Sequence, residues 1–254
     1  MIVCKSPAEI EKMRVSNGLV AEVLAHLATL VVPGVTTLDL DVEAEKLVRA
    51  AGAVPAFKGY RGFPSTLCVS VNEEVVHGIP SKRRLVEGEI ISVDMGVKLD
   101  GFYGDSAVTL PVGKISPEAA HLLRVTEESL EKAIEQVKVG GRVSDIGHAI
   151  QQHVEANGFS VVRQFVGHGI GASLHEEPQI ANYGAPGRGP RLAEGMTLAI
   201  EPMVNMGGQA VKVLGDGWTA VTKDGSWSAH FEHTVAVTKD GPLVLTARTA
   251  ALKG

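Results

Sequence analysis

Four carboxylates stand in strongly apolar surroundings. Asp94 closes "EIISVD", Asp105 opens "DSAVTL", Glu201 closes "MTLAIE", and Glu232 lies in "HFEHTVAV". An acid in such a strand is costly to bury unless it is paired or bound to a cation. Taken singly, each is as readily a strand-end carboxylate capped by backbone N–H groups. Taken as two pairs in matching contexts, they suit one shared site for two divalent ions roughly 3.5–4 Å apart. Between Asp94 and Asp105, "DMGVKLDGFYGD" carries Gly96, Asp100, Gly101 and Gly104, which predicts a hairpin returning Asp105 to the level of Asp94. Glu201 and Glu232 are further apart, with room for an excursion around "VLGDGWTA" and "TKDGSW".

Histidine is the natural fifth donor. His168 lies between glycines in "VGHGIG", where small neighbours let a ring approach a metal, and His175 follows in "SLHEEP". "HGIP" at His77 echoes "HGIG" at His168, and one ring of the two is available to touch substrate instead of metal. His26, His121, His148 and His153 fall in amphipathic helical patterns and read as ordinary core or surface residues. His230 and His233 flank Glu232 and stay unassigned. An oxygen-rich donor set with one imidazole favours Mn, Fe, Co or Zn. Such ions acidify a bridging water and polarise a carbonyl, which points to metal-assisted hydrolysis. The donors alone leave isomerase and oxygenase chemistry open.

The elements that must position these groups occur twice. "SPAEIEKMRVS" from Ser6 matches "SPEAAHLLRVT" from Ser116, each with Ser at a helix N-cap and Pro in the first turn. "PGVTTLDLDVEAEKLVRAAG" matches "VGGRVSDIGHAIQQHVEANG", a second helix ended by Gly52 or Gly158. "LVEGEIISVDMGV" then lies over "LAEGMTLAIEPMV", and "YGDSAVTL" over "HFEHTVAV", setting Asp94 on Glu201 and Asp105 on Glu232. Ordered blocks of this kind indicate an internal duplication. The expected fold is α+β, a curved antiparallel sheet with helices on one face. The expected unit is a single domain over residues 1–254 with pseudo-two-fold halves at about 6–110 and 116–245, and the HGI echo counts as one relic of the duplication.

The composition bounds the partners. A formal charge of -5 on 254 residues offers no field for nucleic acid. No run of about 18 apolar residues suggests a membrane span, and "MIVCKSPAEI" lacks the apolar core of a signal peptide. Cys4 and Cys68 have neither metal-type spacing nor a disulfide framework, which fits a reducing cytoplasm.

With these motifs in place, the sequence resembles the type I methionine aminopeptidase family, metallopeptidases of the pita-bread fold. "FVGHGIGASLHEEPQIANY" resembles the family's histidine signature. "VDMGVKLDGFYGDSA", "IEPMV" and "FEHT" resemble its carboxylate motifs. The resemblance implies Asp94, Asp105, His168, Glu201 and Glu232 as ligands of two divalent ions (Co2+, Mn2+, Fe2+ or Zn2+), with Asp105 and Glu232 bridging. It implies that Glu201 helps activate a hydroxide held between the ions. His175 would bind the substrate carbonyl and the tetrahedral intermediate, and His77 the scissile amide. A methionine pocket would comprise Tyr60, Phe63, Cys68, Leu174 and Trp218, which suits a polarisable thioether packed on aromatic rings. Phe57 stands where many relatives carry a small Cys, a departure that bears on pocket shape. A monovalent cation (Na+ or K+) near Asn72 and Ser228 is a further family feature. The implied activity is removal of initiator methionine ahead of a small second residue, on nascent polypeptide N-termini at the ribosome surface, by a cytoplasmic monomer. Two rivals share this reading of the residues. One is an Xaa-Pro aminopeptidase or prolidase on the same fold, the other a non-catalytic binding module.

Overall fold

A computed structural model describes residues 1–247. The helices are α1 (Pro7–Leu30), α2 (Thr37–Ala50), α3 (Pro117–Ile134) and α4 (Val143–Ala156). Ser6 caps α1 by accepting the Glu9 N–H at 3.3 Å, and the Glu9 carboxylate accepts the Ser6 N–H at 2.8 Å. Ser116 caps α3 through the Ala119 N–H at 3.1 Å. At the second helix of each half an aspartate reaches back as Glu9 does: Asp39 accepts the Thr36 N–H at 3.0 Å while Thr36 Oγ1 accepts the Asp39 N–H at 3.1 Å, and Asp145 accepts the Arg142 N–H at 2.8 Å. Gly52 and Gly158 end these helices at φ 75° and 80°, a region that favours residues without a Cβ. Ahead of them, the Gly34 N–H donates to the Leu85 carbonyl and the Gly140 N–H to the Leu192 carbonyl, both at 2.8 Å. The matching sequence blocks therefore fold with matching hydrogen bonds.

The strands are β1 (Val54–Pro55), β2 (Leu67–Val71), β3 (Glu74–Val76), β4 (Ile90–Leu99) and β5 (Phe102–Pro111), then β6 (Ser160–Val161), β7 (Gly167–Gly169), β8 (Glu176–Ile180), β9 (Thr197–Ile200), β10 (Met203–Asn205), β11 (Val211–Val213), β12 (Ala220–Thr222), β13 (Ser228–His230), β14 (His233–Thr238) and β15 (Gly241–Val244). All their pairings are antiparallel. The expected sheet is divided into four ladders: β1-β4-β2 with β5 beside β4, β15-β14-β9-β7-β8, β13-β10-β6, and β11-β12-β3. Register shifts at His168/Gly169 and Ala220/Val221 interrupt the pairing. The two long ladders meet where the Glu232 N–H donates to the Ala107 carbonyl at 2.9 Å.

The β4–β5 hairpin turns on Asp100 and Gly101, both at positive φ, as a two-residue loop requires. Gly96 and Gly104, expected in that turn, lie inside the strands. Their lack of a side chain serves close packing: a Cβ on Gly96 would sit 2.9 Å from the Phe57 ring, and one on Gly104 2.8 Å from the Asn17 nitrogen of α1. Leu24, Leu27, Leu40, Ile91, Val93, Leu122, Ile146, Leu198 and Val235 share one core cluster drawn from both halves. Each such side chain contributes about 1.5–3 kcal/mol on burial.

The HGI echo does not survive folding. When Asp94 is matched to Glu201, Ser92 matches Ala199. Ser92 faces Ser70 on β2, and Ala199 faces His168 on β7. Ser70, not His77, holds the place of His168. His77 lies past β3 at φ 62°, whereas His168 is in an extended strand.

Candidate metal centre

The β4–β5 register sets Asp94 opposite Ala107 and Gly96 opposite Asp105. Alternation along the strands puts both acids on one face. Asp105 is held from two sides: its N–H donates to Asn17 Oδ1 of α1 at 3.3 Å, and its carbonyl accepts from the Thr234 hydroxyl at 2.8 Å. Ser106 Oγ donates to the Glu232 carbonyl at 2.6 Å, which joins the two halves beside both acids. Asn182 Nδ2 donates to the Glu201 carbonyl at 3.0 Å. On β7, His168 Nδ1 lies 2.9 Å from the Gly169 carbonyl. The Nδ1 proton serves that bond, and Nε2 presents its lone pair to the acids.

His168 Nε2 is 3.6 Å from Glu201 Oε1 and 4.0 Å from Asp105 Oδ2. Both gaps exceed a hydrogen bond. Donor atoms of Asp105, His168 and Glu232 all fall within 4.8 Å of one another. Oδ1 of Asp94 and Oδ1 of Asp105 are buried and take no hydrogen bond among the described residues. Burial raises the Asp94 carboxyl to about 7 and the Glu201 carboxyl to about 8. Burial, then the charges of Asp94 and Glu201, pushes Asp105 well above the usual carboxylate range. Burial and His175 push His168 down to about 4, so its ring is neutral at pH 7. Crowded, desolvated carboxylates with unspent oxygens lack positive charge, and the Arg61 guanidinium at the rim is the one cationic side chain among the described residues lining the cavity. The donor set fits divalent ions with a preference for oxygen and imidazole.

The expected groups meet in one cavity of about 190 Å³, floored by the four acids and His168. Tyr60, Phe63, Cys68, His77, Leu174, His175 and Trp218 form its walls and mouth, with Phe57 and Arg61. Cys68 faces Asp94 across the β2–β4 ladder. Phe63 and Trp218 meet edge to face at 5.1 Å, and His77 packs against Phe165 at 5.3 Å. His77 is driven down to about 4 by burial, then by His230 and His175. The exposed ring of His175 stacks on Tyr60 at 5.2 Å and brings Nδ1 within 2.9 Å of the Tyr60 hydroxyl.

Asn72 and Ser228 lie outside this cavity. They are neighbours, the Ser228 N–H donating to the Asn72 carbonyl at 2.9 Å. The Asn72 amide serves the Ile90 N–H and Glu89, and the Ser228 hydroxyl serves Val204 and Asn205. His26, His121, His148 and His153 pair with neighbours on helix surfaces, as expected. His230 is different: its buried Nε2 approaches Glu201 Oε2 at 3.7 Å. Its place in the sequence, two residues before Glu232, was the only available sign. Arg61 carried no sign beyond membership of the aromatic loop.

The sequence pattern of metallopeptidase family M24 matches residues 11–239. Methionine aminopeptidase 1 of Bacillus subtilis is 55% identical over 246 residues, spanning 97% of this chain and 99% of that relative. The crystal structure of methionine aminopeptidase from Thermotoga maritima superposes with a TM-score of 0.96 at 51% identity, covering 98% of this chain and 100% of that one. The prolidase from Pyrococcus horikoshii shares the fold, with a TM-score of 0.80 at 21% identity, and this chain covers 65% of it.

Proposed function

The chain belongs to metallopeptidase family M24, and from that premise we propose that it removes N-terminal methionine from peptides and nascent chains whose second residue is small. The observation that carries this reading is the five-donor floor of Asp94, Asp105, His168, Glu201 and Glu232 beneath an aromatic-walled cavity. At about 190 Å³ the cavity has the size for one side chain rather than an extended ligand. Identity of 55% to a methionine aminopeptidase across nearly the whole chain supports the same side chain. We read residues 1–254, of which 248–254 lie outside the described residues, as one catalytic domain built from two halves, acting as a monomer in the cytoplasm on chains leaving the ribosome surface. No described helix is long and apolar enough to cross a membrane.

Asp94, Asp105, His168, Glu201 and Glu232 would hold two divalent ions of the Co2+, Mn2+, Fe2+ or Zn2+ group, which would supply Lewis acidity and an acidified water. Tyr60, Phe63, Cys68, Leu174 and Trp218 pack the methionine side chain and exclude solvent. With the Tyr60 hydroxyl donating to His175 Nδ1, 2.9 Å away, the ring proton would stand on Nε2 for the scissile carbonyl oxygen as it gains charge. Neutral His77, which also lines the cavity, would hydrogen-bond the scissile amide. Glu201 takes a proton from the attacking water and returns it to the departing amine nitrogen as the C–N bond breaks. Asn72 and Ser228 would supply main-chain oxygen to a monovalent cation that ties β2 to β13.

Metal-loaded protein should release methionine from Met-Ala-Ser and leave an Ala-Pro peptide intact. Cleavage of the Ala-Pro peptide alone would replace this reading with an Xaa-Pro peptidase. Failure on both, with each metal tried, would leave a binding module.

A further inference from the structure

Lysine is among the residues least often buried without a partner, yet Lys5 is only 6% exposed. Its ammonium donates to Glu176 Oε2 at 2.5 Å and to the Val3 carbonyl at 3.1 Å. Its backbone N–H donates to the Gly195 carbonyl at 2.7 Å, which fixes the segment ahead of α1 to the second half. Glu176 spends its other oxygen on the Ser173 N–H at 3.1 Å. At the opposite end of this loop, the Gly171 carbonyl accepts the Tyr103 N–H at 2.8 Å. A Cβ on Gly171 would overlap Cε and Nζ of Lys5. Gly171 thus leaves the space in which the Lys5 side chain and the Glu176 carboxylate meet. The loop is pinned at Gly171 and at Glu176, and Leu174 and His175 lie between the pins.

An ion pair so buried is a poor source of net stability compared with apolar packing. Its directional bonds are better suited to fixing geometry. We infer that the Lys5–Glu176 pair is a positioning strap, by which the segment ahead of α1 sets where the His175 ring stands at the cavity mouth. Lys5 does not reach the cavity and acts only through the loop. This rests on the reading of His175 as the group that meets the substrate carbonyl.

The test uses the full chain with Lys5→Met and Glu176→Gln, two near-isosteric changes. Amide hydrogen exchange of residues 171–176 is measured without substrate, metal affinity by calorimetry, and kcat and KM on Met-Ala-Ser. The strap predicts faster exchange in this segment and unchanged metal affinity. It also predicts a kcat lower by about tenfold or more, because small misplacements of a catalytic group are expensive. In a His175→Ala background, Lys5→Met should cost nothing further in kcat. Unchanged exchange in both variants would overturn the inference, as would a kcat loss that multiplies with that of His175→Ala. If the parent protein cleaves no methionine peptide, the proposed activity fails, while the exchange measurement still decides the strap.

Discussion

At the residue scale, His168 and His77 look alike in sequence and differ in surroundings. His168 Nε2 faces Glu201 and Asp105, while the His77 ring leans on Phe165 and Trp218. His168→Ala should therefore lower metal occupancy, read by elemental analysis after dialysis. His77→Ala should keep its metal and lose kcat by about 10²-fold, the cost of one aimed hydrogen-bond donor. Equal metal loss in both variants would refute that division. Tyr60→Phe keeps the aromatic wall and removes only the hydroxyl at 2.9 Å from His175. It should lower kcat by about fivefold to tenfold with little change in KM, matching one hydrogen bond of about 1 kcal/mol. A raised KM with kcat intact would make Tyr60 a pocket wall and nothing more. The acids were legible because a carboxylate in an apolar strand needs an explanation. His230, Arg61 and the Lys5–Glu176 pair were not, because a histidine, an arginine or a lysine in mixed sequence needs none. Contacts across 171 residues have no local signature.

At the element scale, caps, stops and the β4–β5 hairpin were readable, and the pairing of strands distant in sequence was not. Ser6, Ser116, Gly52 and Gly158 act within one turn of their own chain, so local sequence suffices. The place of His168 relative to Ser70 depends on which strands pair, and that is decided by the packing of both halves. Gly104 shows the same limit, reading as a turn residue when it is the point where α1 crosses β5. A Cβ there meets the Asn17 nitrogen at 2.8 Å and the Ser16 carbonyl carbon at 2.9 Å, backbone atoms with no room to yield. Gly104→Ala should destabilise the fold by about 1–3 kcal/mol, the usual cost of overpacking. Asn17 also accepts the Asp105 N–H, so the same change should weaken metal binding. Denaturant unfolding and a metal titration on one variant test both. Full stability would mean that α1 slides freely over the hairpin. Ser116→Ala, which removes a cap far from the acids, should cost about 1 kcal/mol and leave metal affinity unchanged.

At the scale of the whole molecule, the fold concentrates its unfavourable charge at the junction of its halves. Asp94 and Glu201 are raised from ordinary values of 3.8 and 4.5 to about 7 and about 8, and Asp105 is raised as well. The folded state thus holds protons on these groups that the unfolded state has already released. Their contribution is complete below about pH 4 and is lost as pH rises toward 8. His77 and His168 act oppositely: lowered from 6.5 to about 4, they add stability above 6.5 that is lost as pH falls through 4. Between about 4 and 6.5 the two sets offset one another. Above 6.5 the histidine contribution is constant, and the carboxyl contribution still falls by up to about 1.4 kcal/mol per group per pH unit. Metal-free protein should therefore lose melting temperature steadily from pH 6.5 to 8. Divalent ions replace those protons, so the same scan with metal should flatten or reverse. At 100 times the dissociation constant, the ion adds about 2.7 kcal/mol. Calorimetric scans of chelated and reloaded protein across this range decide the matter. A metal-free melting temperature that holds level from 6.5 to 8 would mean that the acids are not crowded, and the case for a cation between the halves would lose its electrostatic basis.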